Sequence, residues 1–233
     1  GKLAANVVEI VATQVRSPGG VLVGGDALVV TLQSATAADG STTVARLDNR
    51  GGQLLAQGDV LIETTQLDSD ASSELLAGGD IDLNLAGDYA HHGLIQATGD
   101  VAMSSAGTVT NHAALLAGGV LSVQAQNLNN TAAGELRGDV TALSVTDTVN
   151  NRGLIDGGYT VIRAGTLNNI GTGRVYGDAV GIGVLSLNNL EELQADGSTR
   201  AAVIAGRQEL NIGAQHIVNR EHSLLFSGGD LSI

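Results

Sequence analysis

Apolar and polar residues alternate with a period of two along most of this chain, in short bursts separated by glycine. Ile81, Leu83 and Leu85 alternate with Asp82 and Asn84, and Leu121, Val123 and Ala125 alternate with Ser122 and Gln124. That period sends one set of side chains to one face of a β-strand and the other set to the opposite face. No segment of ten or more residues with a helical period lies between the bursts. A βαβ arrangement is therefore disfavoured, and an all-β fold is expected.

The bursts repeat. Each follows a glycine anchor, as in "LVGGDALVV", "LAGGDIDLN", "QATGDVAMS" and "LAGGVLSVQ". The anchors are Gly25, Gly58, Gly79, Gly99, Gly119, Gly138, Gly158, Gly177, Gly206 and Gly229, at intervals of 33, 21, 20, 20, 19, 20, 19, 29 and 23 residues. The period is thus about 20, with insertions at the first, eighth and ninth intervals. About ten residues before most anchors stands a second signature: "LDNRGG", "VTNHAA", "LNNTAAG", "VNNRG" or "LNNIGTG". Here an aliphatic residue enters the core, and Asn and Gly are expected to supply the left-handed backbone of a sharp corner.

One such unit cannot bury its apolar face alone, but identical units stacked on each other can. The pattern predicts a right-handed parallel β-helix of about ten coils, which at a strand spacing of ~4.8 Å makes a rod ~50 Å long. Equivalent residues should form ladders: Val60, Ile81, Val101, Leu121 and Val140 inside, and Asn129, Asn150, Asn168 and Asn188 along a corner, bonded side chain to side chain. Residues 1–46 form the N-terminal coils with an inserted loop at 34–43. Residues 47–189 are the regular repeats, and residues 190–233 the terminal coils with a loop at 190–199. Both ends should present open strand edges.

Composition agrees with thin, stacked layers. Thirty-three Gly, one Pro, one Phe, three Tyr and no Trp leave a core of Val, Leu, Ile and Ala. A formal charge of −13 argues against nucleic acid as a partner. No apolar run is long enough to span a bilayer as a helix. Gly1-Lys2-Leu3 opens no signal peptide, so the chain is expected to be a piece of something longer.

Four features invite a chemical reading. Arg137-Gly138-Asp139 spells RGD, but x-Gly-Asp occurs at six other anchors with a variable first residue, so the repeat itself accounts for it. His92 and His112 each precede an anchor by seven residues and should stack roughly 5 Å apart, with His91 beside them; Ser72, Thr131 and Asn151 are read as other occupants of that position. Two histidines without a third ligand are a weak metal signal. Asp59, Asp80 and Asp100 follow consecutive anchors and are better read as solvated carboxylates capping turn backbone than as a calcium ladder. Asp68, Asp70 and Glu74, like Glu191, Glu192 and Asp196, cluster in sequence, yet neither set forms an assignable pair across a cleft. No catalytic, cofactor or metal residue is assigned, and no enzymatic activity is expected. Both insertions contain Ala-Asp-Gly-Ser-Thr, at Ala38–Thr42 and Ala195–Thr199, which predicts tight turns in loops leaving the rod.

The "LNNxGG" turns, the "LLAGGDIDLNLAG" strands and the twenty-residue period resemble the filamentous haemagglutinin repeats of bacterial two-partner secretion exoproteins. The likeness runs through nearly the whole chain and is clearest from Leu47 to Asn189. The stretch from Ala201 to Ile233 resembles more narrowly the contact-dependent growth inhibition exoproteins. The resemblance implies an internal segment of a secreted, outer-membrane-associated filament that presents adhesive or toxin-delivery modules to neighbouring cells. It also implies an outer-membrane secretion partner for the parent protein, and a receptor or glycan on the neighbour. The segment itself is expected to be a monomer.

Overall fold

The computed structural model describes residues 1–220 and 222–233. Among these there is no helix; the chain winds through a parallel β-solenoid with three strands per level. One level comprises Leu94–Ala97, Val101–Ser105 and Thr108–Asn111, and the next Ala114–Ala117, Val120–Ala125 and Asn127–Asn130. Leu94 pairs with Ala114, Val101 with Leu121 and Val109 with Leu128, so the three strands define three parallel faces. Toward the C-terminus the corners tighten until Leu154–Ile170 and Val203–Asn219 each run as one strand through all three faces.

On the first face the strands starting at Lys2, Val21, Gln53, Glu74, Leu94, Ala114, Glu135, Leu154, Arg174, Val203 and Leu224 stack in register, giving eleven levels. Glycine anchors undercount by one. In the opening level Ala5 pairs with Gly24, so no glycine marks its corner. The ninth interval holds no insertion: Val203 pairs with Leu224 and Gly206 with Ser227, so the corner there begins at Ser227, two residues before Gly229.

The core is three sets of aliphatic ladders. Leu75, Ile95, Leu115, Leu136 and Ile155 enter from the first face, Ile81, Val101 and Leu121 from the second, and Val109, Leu128, Val149 and Leu167 from the third; all are buried. Each such side chain contributes ~1.5–3 kcal/mol by leaving water, and none does so without the level above and below it.

The expected inward ladder ends one residue early. Leu121 pairs with Thr141, not with Val140, which pairs with the partly exposed Val120. The corner before it is one residue shorter, because Leu116 pairs with Arg137 at an offset of 21 while Val120 pairs with Val140 at 20. Thr141 is fully buried. Its hydroxyl accepts from Gly138 N at 3.0 Å and donates to Asp156 O at 2.7 Å, so the polar atom is satisfied in place.

The anchor glycines serve close approach. A Cβ on the anchor Gly58 would lie 1.9 Å from Asp26 O, and one on Gly118, beside the anchor Gly119, 2.0 Å from Thr98 O, so the backbones of successive corners touch where the side chain would be. Left-handed backbone occurs instead at the turns into the first face, at Gly51, Gly93 and Gly171, and at the hairpin tips Gly40 and Gly197. The turn asparagines were expected to share that role. They lie at strand ends, as in Asn127–Asn130 and Thr148–Asn151.

Outside the rod the faces differ. The second face presents Asp82, Asn84, Ser122 and Gln124, and the third Thr108, Thr110, Asn127 and Asn129. The first is mostly apolar outside as well as in, with Gln53, Gln96 and six charged residues between. Val21, Leu94, Leu154, Val203 and Leu224 share one outward column, and Val23, Leu55, Leu76 and Leu116 stand in the other, which continues at Tyr176 and Phe226. The strand pattern alternates them with buried residues, so they stand half-buried to exposed on the surface.

Candidate functional site

Two asparagine ladders run along the end of the third face. The outer one is that expected from sequence: Asn150 Nδ2 donates to Asn129 Oδ1 at 2.9 Å, Asn168 to Asn150 at 2.8 Å and Asn188 to Asn168 at 2.8 Å. The inner one was not anticipated and is buried. Asn111 donates to Asn130, Asn130 to Asn151, Asn151 to Asn169 and Asn169 to Asn189, each at 2.8 Å, and Asn189 donates to Asn219 at 2.7 Å. From Asn111 to Asn189 each inner amide also donates across the corner to a first-face carbonyl two levels on, as Asn130 does to Leu154 O at 3.1 Å. The two chains of amides point in opposite directions along the rod, which opposes their dipoles. The signal was present: in "LNN" the Leu is inside, so alternation sends the first Asn out and the second in.

His91 pairs in register with Asn111 and does the same work. Its Nε2 lies 3.0 Å from Ala114 O and its Nδ1 3.2 Å from the Tyr89 hydroxyl, with the ring 1% exposed. Burial pushes its pKa down to about 4, so it is neutral at pH 7 with Nε2–H donating. His92 and His112 stack as expected, with ring centroids 4.5 Å apart and planes 4° from parallel. Burial, and then the charge of His92, lower the pKa of His112. Ring lone pairs lie in the ring plane, so two parallel rings do not converge on one ion without turning. No group of three or more metal-ligating side chains occurs among the described residues. Asn151, read as an occupant of the His112 position, lies one residue away in the inner ladder; Asn130 pairs with Asn151, so Arg152 follows Thr131 in that column.

The aspartate ladder caps backbone. Asp59 Oδ1 accepts from Asp80 N at 2.9 Å, Asp80 from Asp100 N at 2.8 Å and Asp100 from Val120 N at 2.7 Å. Each carboxylate thus holds the corner of the following level, and Val120 needs only its N–H to end the series.

Arg137-Gly138-Asp139 lies within the strand Glu135–Val145, with Arg137 paired to Glu135 at 3.2 Å and Gly138 N bonded to Thr141. It is held in the sheet and does not protrude. The acidic clusters are likewise engaged. Asp68 pairs with Arg46, Asp70 accepts from Gly51 N at 2.9 Å and from Ser72, and Glu74 accepts from Gln53 at 2.6 Å. Glu191 bonds His222 at 2.8 Å, and Glu192 receives a fork of bonds from Arg152 at 2.8–3.1 Å. That fork holds the Glu192 carboxyl below the usual carboxylate range.

Both insertions are antiparallel hairpins. Ala35–Thr36 pairs with Thr42–Thr43 at the corner between the second and third faces, and Glu191–Leu193 pairs with Thr199–Ala201 at the corner between the third and first. Their tips share one geometry. Asp39 Oδ1 accepts from Ser41 N and Oγ at 2.9 and 2.6 Å, Asp196 Oδ1 from Ser198 N and Oγ at the same distances, and a left-handed Gly40 or Gly197 lies between. The second hairpin extends two residues beyond the loop expected at 190–199, and Arg152 and His222 fasten it to levels on either side.

A family model described as haemagglutinin repeat matches residues 3–84, 65–180 and 186–233. Searches of curated proteins and of solved structures give no match. The matched stretches take in nearly the whole rod, including the levels that carry the asparagine and aspartate ladders. The chain therefore belongs to the haemagglutinin repeat family, a family of secreted, cell-surface, adhesin-type proteins and not of enzymes.

Proposed function

We propose that this chain is a rigid spacer: an internal rod segment of an outer-membrane-associated filament that holds adhesive or toxin-delivery modules at a distance from the producing cell. One observation carries the reading. The polar side chains most suggestive of chemistry, the Asn pairs, the Asp ladder and the acidic clusters, bond to neighbouring backbone or side chains, most of them between levels, and so fasten the rod along its axis. A spacer needs this, and a catalytic cleft would leave some of those groups free for a substrate. The likeness of Ala201–Ile233 to contact-dependent growth inhibition exoproteins supports a parent of that kind, exported with an outer-membrane secretion partner and meeting its receptor or glycan through another region. The test is binding of the labelled chain to intact bacteria related to a producer, with an unrelated β-solenoid as control. The reading expects no saturable binding; saturable binding competed by unlabelled chain would overturn it.

A second reading, a receptor- or glycan-binding module, is favoured by one observation: two hairpins of the same Asp-Gly-Ser design leave the rod at different corners. It requires binding that is lost when residues 35–43 and 191–201 are removed while the β-rich spectrum persists.

A further inference from the structure

We infer that the first face is a self-association surface, on which a second copy of this chain packs face to face to make a lateral pair of rods. Its outward columns carry Leu55, Leu76, Leu94, Leu116, Leu154 and Tyr176, half-buried by their ladder neighbours and open on the solvent side. In the equivalent places the third face presents mainly Thr, Asn and Ser, and the second mixes Asp82, Asn84, Ser122 and Gln124 with Val29, Leu61, Ala102 and Val161. A sheet that is mostly apolar on both sides is the pattern of a layer between two others.

Charge, area and pitch identify the occupant. The charged residues of the outward columns are Lys2, Arg137 and Arg174 against Glu74, Glu135 and Asp156. Three of each sign cancel, so the chain's formal −13 lies on the other faces, the corners and the hairpins. Contact between two copies through this face brings no net like charge together. Eleven levels at ~4.8 Å and a strand of about four residues at ~3.3 Å give roughly 650 Å² per copy, or about 1,300 Å² in the pair, within the range of specific interfaces. The ridges of the face recur at the strand spacing along the whole rod, and another copy of the same face is a surface with that pitch. The contact is isologous, so it closes at two copies. A spacer built from paired rods resists bending better than a single one, so this inference extends the proposed function without depending on it.

The experiment is sedimentation equilibrium with small-angle X-ray scattering on the 233-residue chain, from about 1 to about 100 µM, a span suited to an interface near the lower size limit. Lateral pairing predicts a species of twice 23.4 kDa whose maximum dimension stays near the single rod's ~50 Å. Leu76→Glu with Leu116→Glu raises the dissociation constant at least ~tenfold, whereas Asn84→Glu with Ser122→Glu, which adds the same charge to the second face, leaves it unchanged. Leu55→Thr with Leu94→Thr, a change strands tolerate, repeats the test if the glutamates disturb folding. A 23.4 kDa species throughout, a pair about twice as long as one rod, or equal sensitivity to both glutamate pairs would each overturn the inference.

Discussion

Asn150 and Asn151 are adjacent, of one type, and each takes part in two amide–amide bonds, yet they lie on opposite sides of the sheet. Replacing each with alanine therefore isolates burial. Asn151→Ala removes the bond from Asn130 at 2.8 Å, the bond to Asn169 at 2.8 Å and the corner bond to Arg174 O at 3.3 Å. It leaves the buried Asn169 Oδ1 without its donor, while Asn130 keeps its bond to Leu154 O. Three bonds at ~1 kcal/mol each and one buried orphan at ~1 kcal/mol or more total about 4 kcal/mol. Asn150→Ala removes bonds of 2.8 and 2.9 Å on the outer surface, where water replaces them, and costs about 1 kcal/mol or less. The two changes share strand position and substituent, so the difference of ~3 kcal/mol reports the inner ladder alone. Urea unfolding followed by circular dichroism at pH 7 measures it, provided the urea slopes agree. An Asn150→Ala cost equal to or above that of Asn151→Ala would refute the claim that the buried amides hold the corners together.

Three further outcomes follow from the geometry. Gly118→Ala destabilises by ~2 kcal/mol or more, because its Cβ would meet Thr98 O at 2.0 Å, whereas Gly183→Ala, with open space at that point, is neutral or stabilises by up to ~1 kcal/mol; chemical denaturation separates them. His91 has a folded pKa of about 4 against 6.5 unfolded, so the unfolded state binds the proton more readily; its contribution is intact above about pH 6.5 and is lost as pH falls toward 4, by about 3 kcal/mol in all. His91→Asn, which extends the inner ladder by one level, should remove that component, and unfolding midpoints at pH 7 and 4.5 for both proteins check it. Since Asp59, Asp80 and Asp100 already bond backbone, millimolar calcium should leave the thermal midpoint unchanged; a rise of several degrees would show that the ladder holds the ion.

The solenoid was legible because its signals are local and repeated. Alternation named the strands, "LNN" named a corner, and Ala-Asp-Gly-Ser-Thr named both hairpins. What escaped depended on counting across a corner. The anchors Gly119 and Gly138 look equivalent, but the shorter corner before Val140 turns that side chain outward and puts Thr141 in the core. A buried Thr with two backbone partners cannot be told from a surface Thr by its own letter. His91 was read beside a histidine pair because it adjoins His92 in sequence, while the sheet separates the buried His91 from the partly exposed His92. The outward leucines of the first face were hidden for a related reason: "ELLA" and "ALLA" show no alternation, and a run of apolar residues does not say which of them faces out.

The central claim is that the levels are equivalent units of a rod, as a spacer requires and a dedicated binding site does not. Deleting residues 94–134 tests it most directly, since Leu94, Ala114 and Glu135 are in register and the excision removes two whole levels. The shortened chain should keep a β-rich spectrum and one cooperative transition, with a scattering-derived length about 10 Å less than that of the full chain. Loss of folding, or a length that does not shorten, would contradict the account.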